Sequence, residues 1–118
     1  MFREALQGVV EGTDGGVAGV LMDFEGIPLE TYVKEGALDI EAVGAEVSVV
    51  VKAIQRATEM LDAGETQEVA FKSERLVTLI RVVNETYFLA LTLKPGGNLG
   101  KGRFLLRTTA PRLLPELS

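Results

Sequence analysis

Asp23 and Glu25 stand two apart in the stretch VLMDFEG, residues 20–26. On an extended strand that spacing places both carboxylates on one face. Two acids held that way could divide general acid and base work between them. Nothing accompanies them, however. The chain contains no histidine and no cysteine, which removes imidazole and thiolate metal ligands and the Ser-His and Cys-His nucleophile pairs. With no base, metal ligand or nucleophile beside the pair, turn chemistry in a hairpin is the stronger reading. No catalytic residue, cofactor or metal is expected.

A second stretch has the look of phosphate chemistry: LALTLKPGGNLGKGRFLLR, residues 89–107. An apolar strand runs into glycines and a lysine, as in the phosphate loop G-x-x-x-x-G-K-[ST]. Aligned on Gly100 and Lys101, the first glycine position holds Pro95 and the hydroxyl position holds Gly102. The hydroxyl that would bind Mg²⁺ is missing, and Pro95 removes one N–H from a cradle built of N–H groups. No nucleotide is expected here. Asn98 reads instead as a helix N-cap, with Leu99 entering the core and Gly100 and Gly102 letting the first turns lie close to a sheet.

The elements that position these stretches follow from periodicity. Residues 1–12 place Phe2, Leu6, Val9 and Val10 at helical spacing, with Gly12 as a stop. Residues 17–24 and 27–33 read as a hairpin around Glu25 and Gly26, the second strand at an edge because of Pro28. KEGAL, residues 34–38, is a loop. Asp39 caps a long helix over 40–62, with Gly64 as its stop. Its main apolar stripe is Ile40, Val43, Val47, Val50, Ile54, Ala57 and Leu61. A second stripe, Ala42, Ala45, Val49, Ala53 and Met60, calls for a second helix, another subunit or a wide buried face. Strands follow at 65–72, 75–83 and 86–93, the last the most apolar and central. A final helix begins after Asn98 and stops at Pro111, and the tail 111–118 has no clear period. The reading is one domain over 1–118, of α/β (α+β) class: a five-stranded antiparallel sheet with helices on both faces, in the order α-β-β-α-β-β-β-α.

Charge bounds the partners. The net charge is −5, which argues against nucleic acid. Residues 1–93 hold 7 Lys/Arg against 16 Asp/Glu, a balance of −9; residues 94–118 hold 5 against 1, a balance of +4. The basic end is expected to meet the acidic body of its own fold. No apolar run reaches the roughly 20 residues of a membrane span, so no membrane insertion is expected and the cytoplasm is the expected compartment.

The element order, the hairpin VLMDFEGIPLET and the turn LKPGGNLGKGRFLLR together resemble the Roadblock / dynein light chain family, in particular its bacterial MglB-like members. The hairpin is matched by Asp23 and Gly26, the turn by Asn98, Leu99 and Gly100. The resemblance spans nearly the whole chain. It implies a Roadblock/longin-like fold and a small non-catalytic module that forms a homodimer. It also implies a Ras-like GTPase as partner, with stimulation of GTP hydrolysis. The alternative is a dimeric scaffold for a motor, cytoskeletal or signalling complex with no effect on a GTPase. The longer C-terminal extension of some MglB-type proteins has no counterpart here, so contacts made by it are not carried over. For the dimer interface the expected residues are Val49 and Ala53 on the long helix, and Gln67, Glu68 and Ala70 on an edge strand whose unpaired groups invite a second copy. Val69 and Phe71 should point inward. For the GTPase the resemblance points to the exposed side of the long helix: Lys52, Gln55, Arg56 and Glu59, with Glu41 and Ser48 exposed beside them. An arginine finger from Arg56, Arg75 or Arg81 is less favoured than ordinary surface charge.

Overall fold

The computed structural model of the protein describes residues 1–34, 36 and 38–117. The elements are α1 (Phe2–Glu11), β1 (Gly16–Asp23), β2 (Pro28–Val33), α2 (Ile40–Met60), β3 (Glu68–Lys72), β4 (Val77–Val82), β5 (Tyr87–Leu93) and α3 (Leu99–Leu117). All neighbouring strands are antiparallel, in the order β2-β1-β5-β4-β3. The meander thus ends with β3 at one edge, while β5 sits at the centre, as its uninterrupted apolar run requires. The expected loop at 34–38 falls partly outside the described residues, at 35 and 37.

Alternation of side chains along each strand divides the interior into two layers. Leu89, Leu91 and Leu93 of β5 pack with Leu79 and Leu21 under α1 and α3. Phe88 and Ala90, which alternate with them in sequence, pack with Val20, Met22 and Ile80 under α2. Two helices therefore cover one face of the sheet and a single helix covers the other.

Several boundaries differ from the sequence reading. β3 begins at Glu68 rather than residue 65. Helix α2 ends at Met60, and Asp62 takes the left-handed conformation (φ 52°) two residues before Gly64. Helix α3 runs through Pro111 and Pro115 to Leu117. Proline costs a helix interior about 3 kcal/mol. Here Ala110 and Leu113 are buried against the sheet and Leu117 packs beside them. A large apolar group so buried contributes about 1.5–3 kcal/mol, so Leu113 and Leu117 beyond Pro111 offset part of the cost of the two prolines.

The buried line of α2 also differs. It is Ile40, Gly44, Val47, Ser48 and Val51, whereas Val50 and Leu61 of the expected stripe are 46% and 76% exposed. Gly44 explains the shift. A Cβ there would lie 2.6 Å from Met22 Cε and 2.8 Å from Met22 Sδ, so the helix approaches the sheet along the one position with no side chain. Ser48, expected at the surface, is buried with its hydroxyl donating to the Ala45 carbonyl at 2.7 Å.

Candidate functional site

The two stretches with apparent chemistry are structural. Asp23 Oδ1 accepts the N–H groups of Glu25 and Ile27, both at 2.9 Å, and the turn closes at Gly26 with φ 88°. The carboxylate organises the hairpin. In the glycine turn, three N–H groups are taken up by carbonyls: Gly97 donates to the Lys94 carbonyl, Asn98 to the Asp14 carbonyl and Gly102 to the Asn98 carbonyl. Lys101 N–H donates to Asn98 Oδ1 at 3.0 Å, which is the helix cap. Leu99 is partly buried against the α1/α3 core. A Cβ on Gly102 would meet Leu79 Cδ1 at 3.0 Å and Leu91 Cδ2 at 3.1 Å, so Gly102 carries the close approach to the sheet. Gly100 does not: it is exposed, and only Asn98 Oδ1 lies within 4 Å of the Cβ position.

Helix α2 packs on β1 and β2, and among the described residues no helix covers its exposed outer side. Ala42, Ala45, Val49, Ala53 and Met60 are all exposed, Val49 at 62% and Met60 at 77%. Of the three coverings the second stripe called for, a further helix and a wide buried face are thereby removed. At about 100° per residue, Val49, Ala53, Val50, Met60 and Leu61 form the outer side and the flank toward β3, where Val43, Val47 and Val50 line a shallow apolar groove with Phe71 and Leu76. Beside it, β3 pairs only with β4. Val69 and Phe71 face the α2 layer, leaving Glu68 and Ala70 on the opposite, exposed side. Gln67 is exposed, and Glu68 pairs with Arg103 of α3 at 3.7 Å.

Of the charged residues of α2, Glu46 lines the apolar groove, and the others lie off it. Lys52 continues the line of Ala45 and Ser48, whose neighbour is the Gly26 turn. Lys52, Arg56 and Glu59 are exposed, are neighbours at spacings of three and four, and form no ion pair among the described residues. Gln55 is half-buried and, with Glu59, opens into a groove of about 790 Å³ shared with Thr58, Thr66, Arg81 and Glu85. Arg81 is partly buried there while Arg75 is exposed and apart. Lys52, Arg56 and Glu59 thus lie outside the apolar groove, whose rim includes the exposed Glu46. No described helix is long and apolar enough to cross a membrane.

Part of the basic end meets the acidic body of the fold, and part of it does not. Arg103 has Glu68, but Lys101 and Arg107 instead lie over the ring of Phe104, each 5.6 Å from its centroid. Sequence reading passed over Phe104, although its position between two cations at spacings of three was visible.

No protein-family model matches the chain, and no curated protein sequence matches it. Solved structures do. MglC from Myxococcus xanthus is 38% identical, over 98% of this chain and 98% of that one, with a TM-score of 0.71. A Roadblock/LC7 domain from Streptomyces avermitilis has a TM-score of 0.86 at 13% identity, over 97% of this chain and 95% of that one. The gliding protein MglB from Thermus thermophilus has a TM-score of 0.82 at 20% identity, over 93% of this chain and 83% of that one.

Proposed function

Since the chain belongs to the Roadblock family, as an MglB/MglC-like member, we propose that it is a non-catalytic, homodimeric regulatory module that engages a Ras-like GTPase. The observation that carries this is the uncovered outer side of α2: an apolar groove beside an open strand edge, with Lys52, Arg56 and Glu59 exposed outside the groove. Apolar side chains exposed as far as Met60 and Leu61 are gain from a covering surface. A second copy related by a two-fold axis supplies one, with β3 pairing with its equivalent and the α2 helices side by side. A stable interface of this kind buries roughly 1,600 Å² in total. One solved relative is described as MglB with a tetrameric arrangement, so self-association is known in that protein.

The partner face is then Lys52, Arg56 and Glu59, doubled by the two-fold axis, with Gln55 at its margin. A module of this type needs no catalytic group of its own. Phosphoryl transfer responds to positioning and charge stabilisation, which a bound protein supplies by ordering the GTPase's switch loops.

Two variants test the reading. Ala53→Arg places a charge at the centre of the self-association flank, and sedimentation should show a folded monomer; a folded dimer would refute the helix pairing. Lys52→Glu with Arg56→Glu should leave fold and dimer intact, since surface changes cost within about 0.5 kcal/mol. Capture of the GTP-loaded partner should weaken, most at low salt. Undiminished capture at low salt would remove Lys52 and Arg56 from the interface. Capture without any change in hydrolysis rate would make the module a scaffold.

A further inference from the structure

The face of the sheet opposite α2 carries a second exposed surface with a different character. Along α3, Lys101, Arg103, Arg107 and Arg112 are all exposed. Apart from the Arg103–Glu68 contact, these four make no ion pair among the described residues; Arg112 donates to Thr109 Oγ1 at 3.3 Å. The acidic side chain of α3, Glu116, lies a full turn beyond the last of them. Phe104 stands in the middle of this group. It is 46% exposed, and its ring is flanked by Lys101 and Arg107 at equal distances. An aromatic held between cations and open to solvent is a ready seat for an apolar side chain, with carboxylate-binding groups on either side.

We propose that this face of α3 docks a short acidic segment of a protein partner, a run of Asp and Glu around one large apolar residue. The chemistry is complementary in charge, and the size decides between anionic partners. From Lys101 to Arg112 the helix rises about 16 Å, matched by roughly five extended residues. A membrane surface or a nucleic acid continues past that patch and meets a body whose residues 1–93 carry a balance of −9, where it is repelled. A short acidic segment ends within the patch. Because α2 lies on the other side of the sheet, the acidic segment and a partner on α2 can be held at the same time. The α3 surface therefore does not depend on the GTPase reading.

Selection from a library of random dodecapeptides displayed on phage, with the isolated chain as bait, tests this without any GTPase. The enriched peptides should be rich in Asp and Glu around a single Leu, Ile, Phe or Trp. Fluorescein-labelled copies should bind Lys101→Glu/Arg107→Glu roughly tenfold or more weakly than the parent, and should weaken with salt. Phe104→Ala should remove the preference for the apolar residue. Circular dichroism melting checks that each variant folds, and Lys101→Gln/Arg107→Gln replaces the double reversal if it does not. Enriched peptides without acidic bias, or acidic peptides that bind the charge variants equally well, would overturn the proposal. So would stronger retention on equimolar phosphatidylserine and phosphatidylcholine vesicles, or on single-stranded DNA, than on the peptides.

Discussion

Gly8→Ala and Gly44→Ala make the same chemical change on two helices, and the two should move stability in opposite directions. Around Gly8 in α1 an added Cβ meets nothing within 4 Å. Alanine there gains about 0.8–1.0 kcal/mol of helix propensity. Gly44 in α2 offers the same gain, but its Cβ would stand 2.6 Å from Met22 Cε, 2.8 Å from Met22 Sδ and 3.4 Å from Val20 Cγ1. Met22 is fully buried, so its thioether has no solvent to swing into and the helix must lift. Overpacking of that kind costs about 1–3 kcal/mol, which leaves Gly44→Ala destabilised by up to about 2 kcal/mol once the propensity gain of about 1 kcal/mol is subtracted. Urea unfolding at one fixed protein concentration measures both variants, and the midpoints are comparable if the slopes agree. A double-mutant cycle locates the clash: Met22→Ala should cost less in the Gly44→Ala background than in the parent, by at least about 0.5 kcal/mol. If Gly44→Ala stabilises as much as Gly8→Ala, the close approach does not set the height of α2 over the sheet.

Two further outcomes follow from the same structure. Pro111 is exposed inside α3, so Pro111→Ala, which restores an N–H toward the Arg107 carbonyl, should raise stability by about 1–3 kcal/mol; a loss of stability in urea titration would mean that the ring itself is needed. Tyr32 donates its hydroxyl to the Glu11 carboxylate, and that bond, with desolvation, raises its ionisation above the ordinary phenol value. A folded-state value above the unfolded one means that the contact contributes fully below the unfolded value and is lost as pH rises through the raised one. Thermal midpoints of the parent should therefore fall more across the alkaline range than those of Tyr32→Phe, and parallel curves would count against the link between α1 and β2.

The hairpin, the capped long helix, the meander and the capped last helix were legible because each depends on neighbours in sequence. Asp23 reaches N–H groups two and four residues on, Asp39 caps through Ala42, Asn98 through Lys101, and the strand alternation repeats every two residues. Even the edge position of β3 followed from its place at the start of the meander. What the sequence could not decide was set by surfaces that meet across the fold. The buried line of α2 turned away from Val50 and Leu61 because Met22, on a distant strand, fits only against Gly44. The last helix passed through Pro111 because Leu113 and Leu117 find the α1/α3 core beyond it, and propensity at one residue carries no record of burial six residues later. Which residues of α2 stay uncovered, and that Phe104 is left open to solvent on the opposite face, likewise appear only when the sheet fixes which side of each helix is covered. Local bonds are written in short spacings, whereas exposure is a property of everything packed nearby.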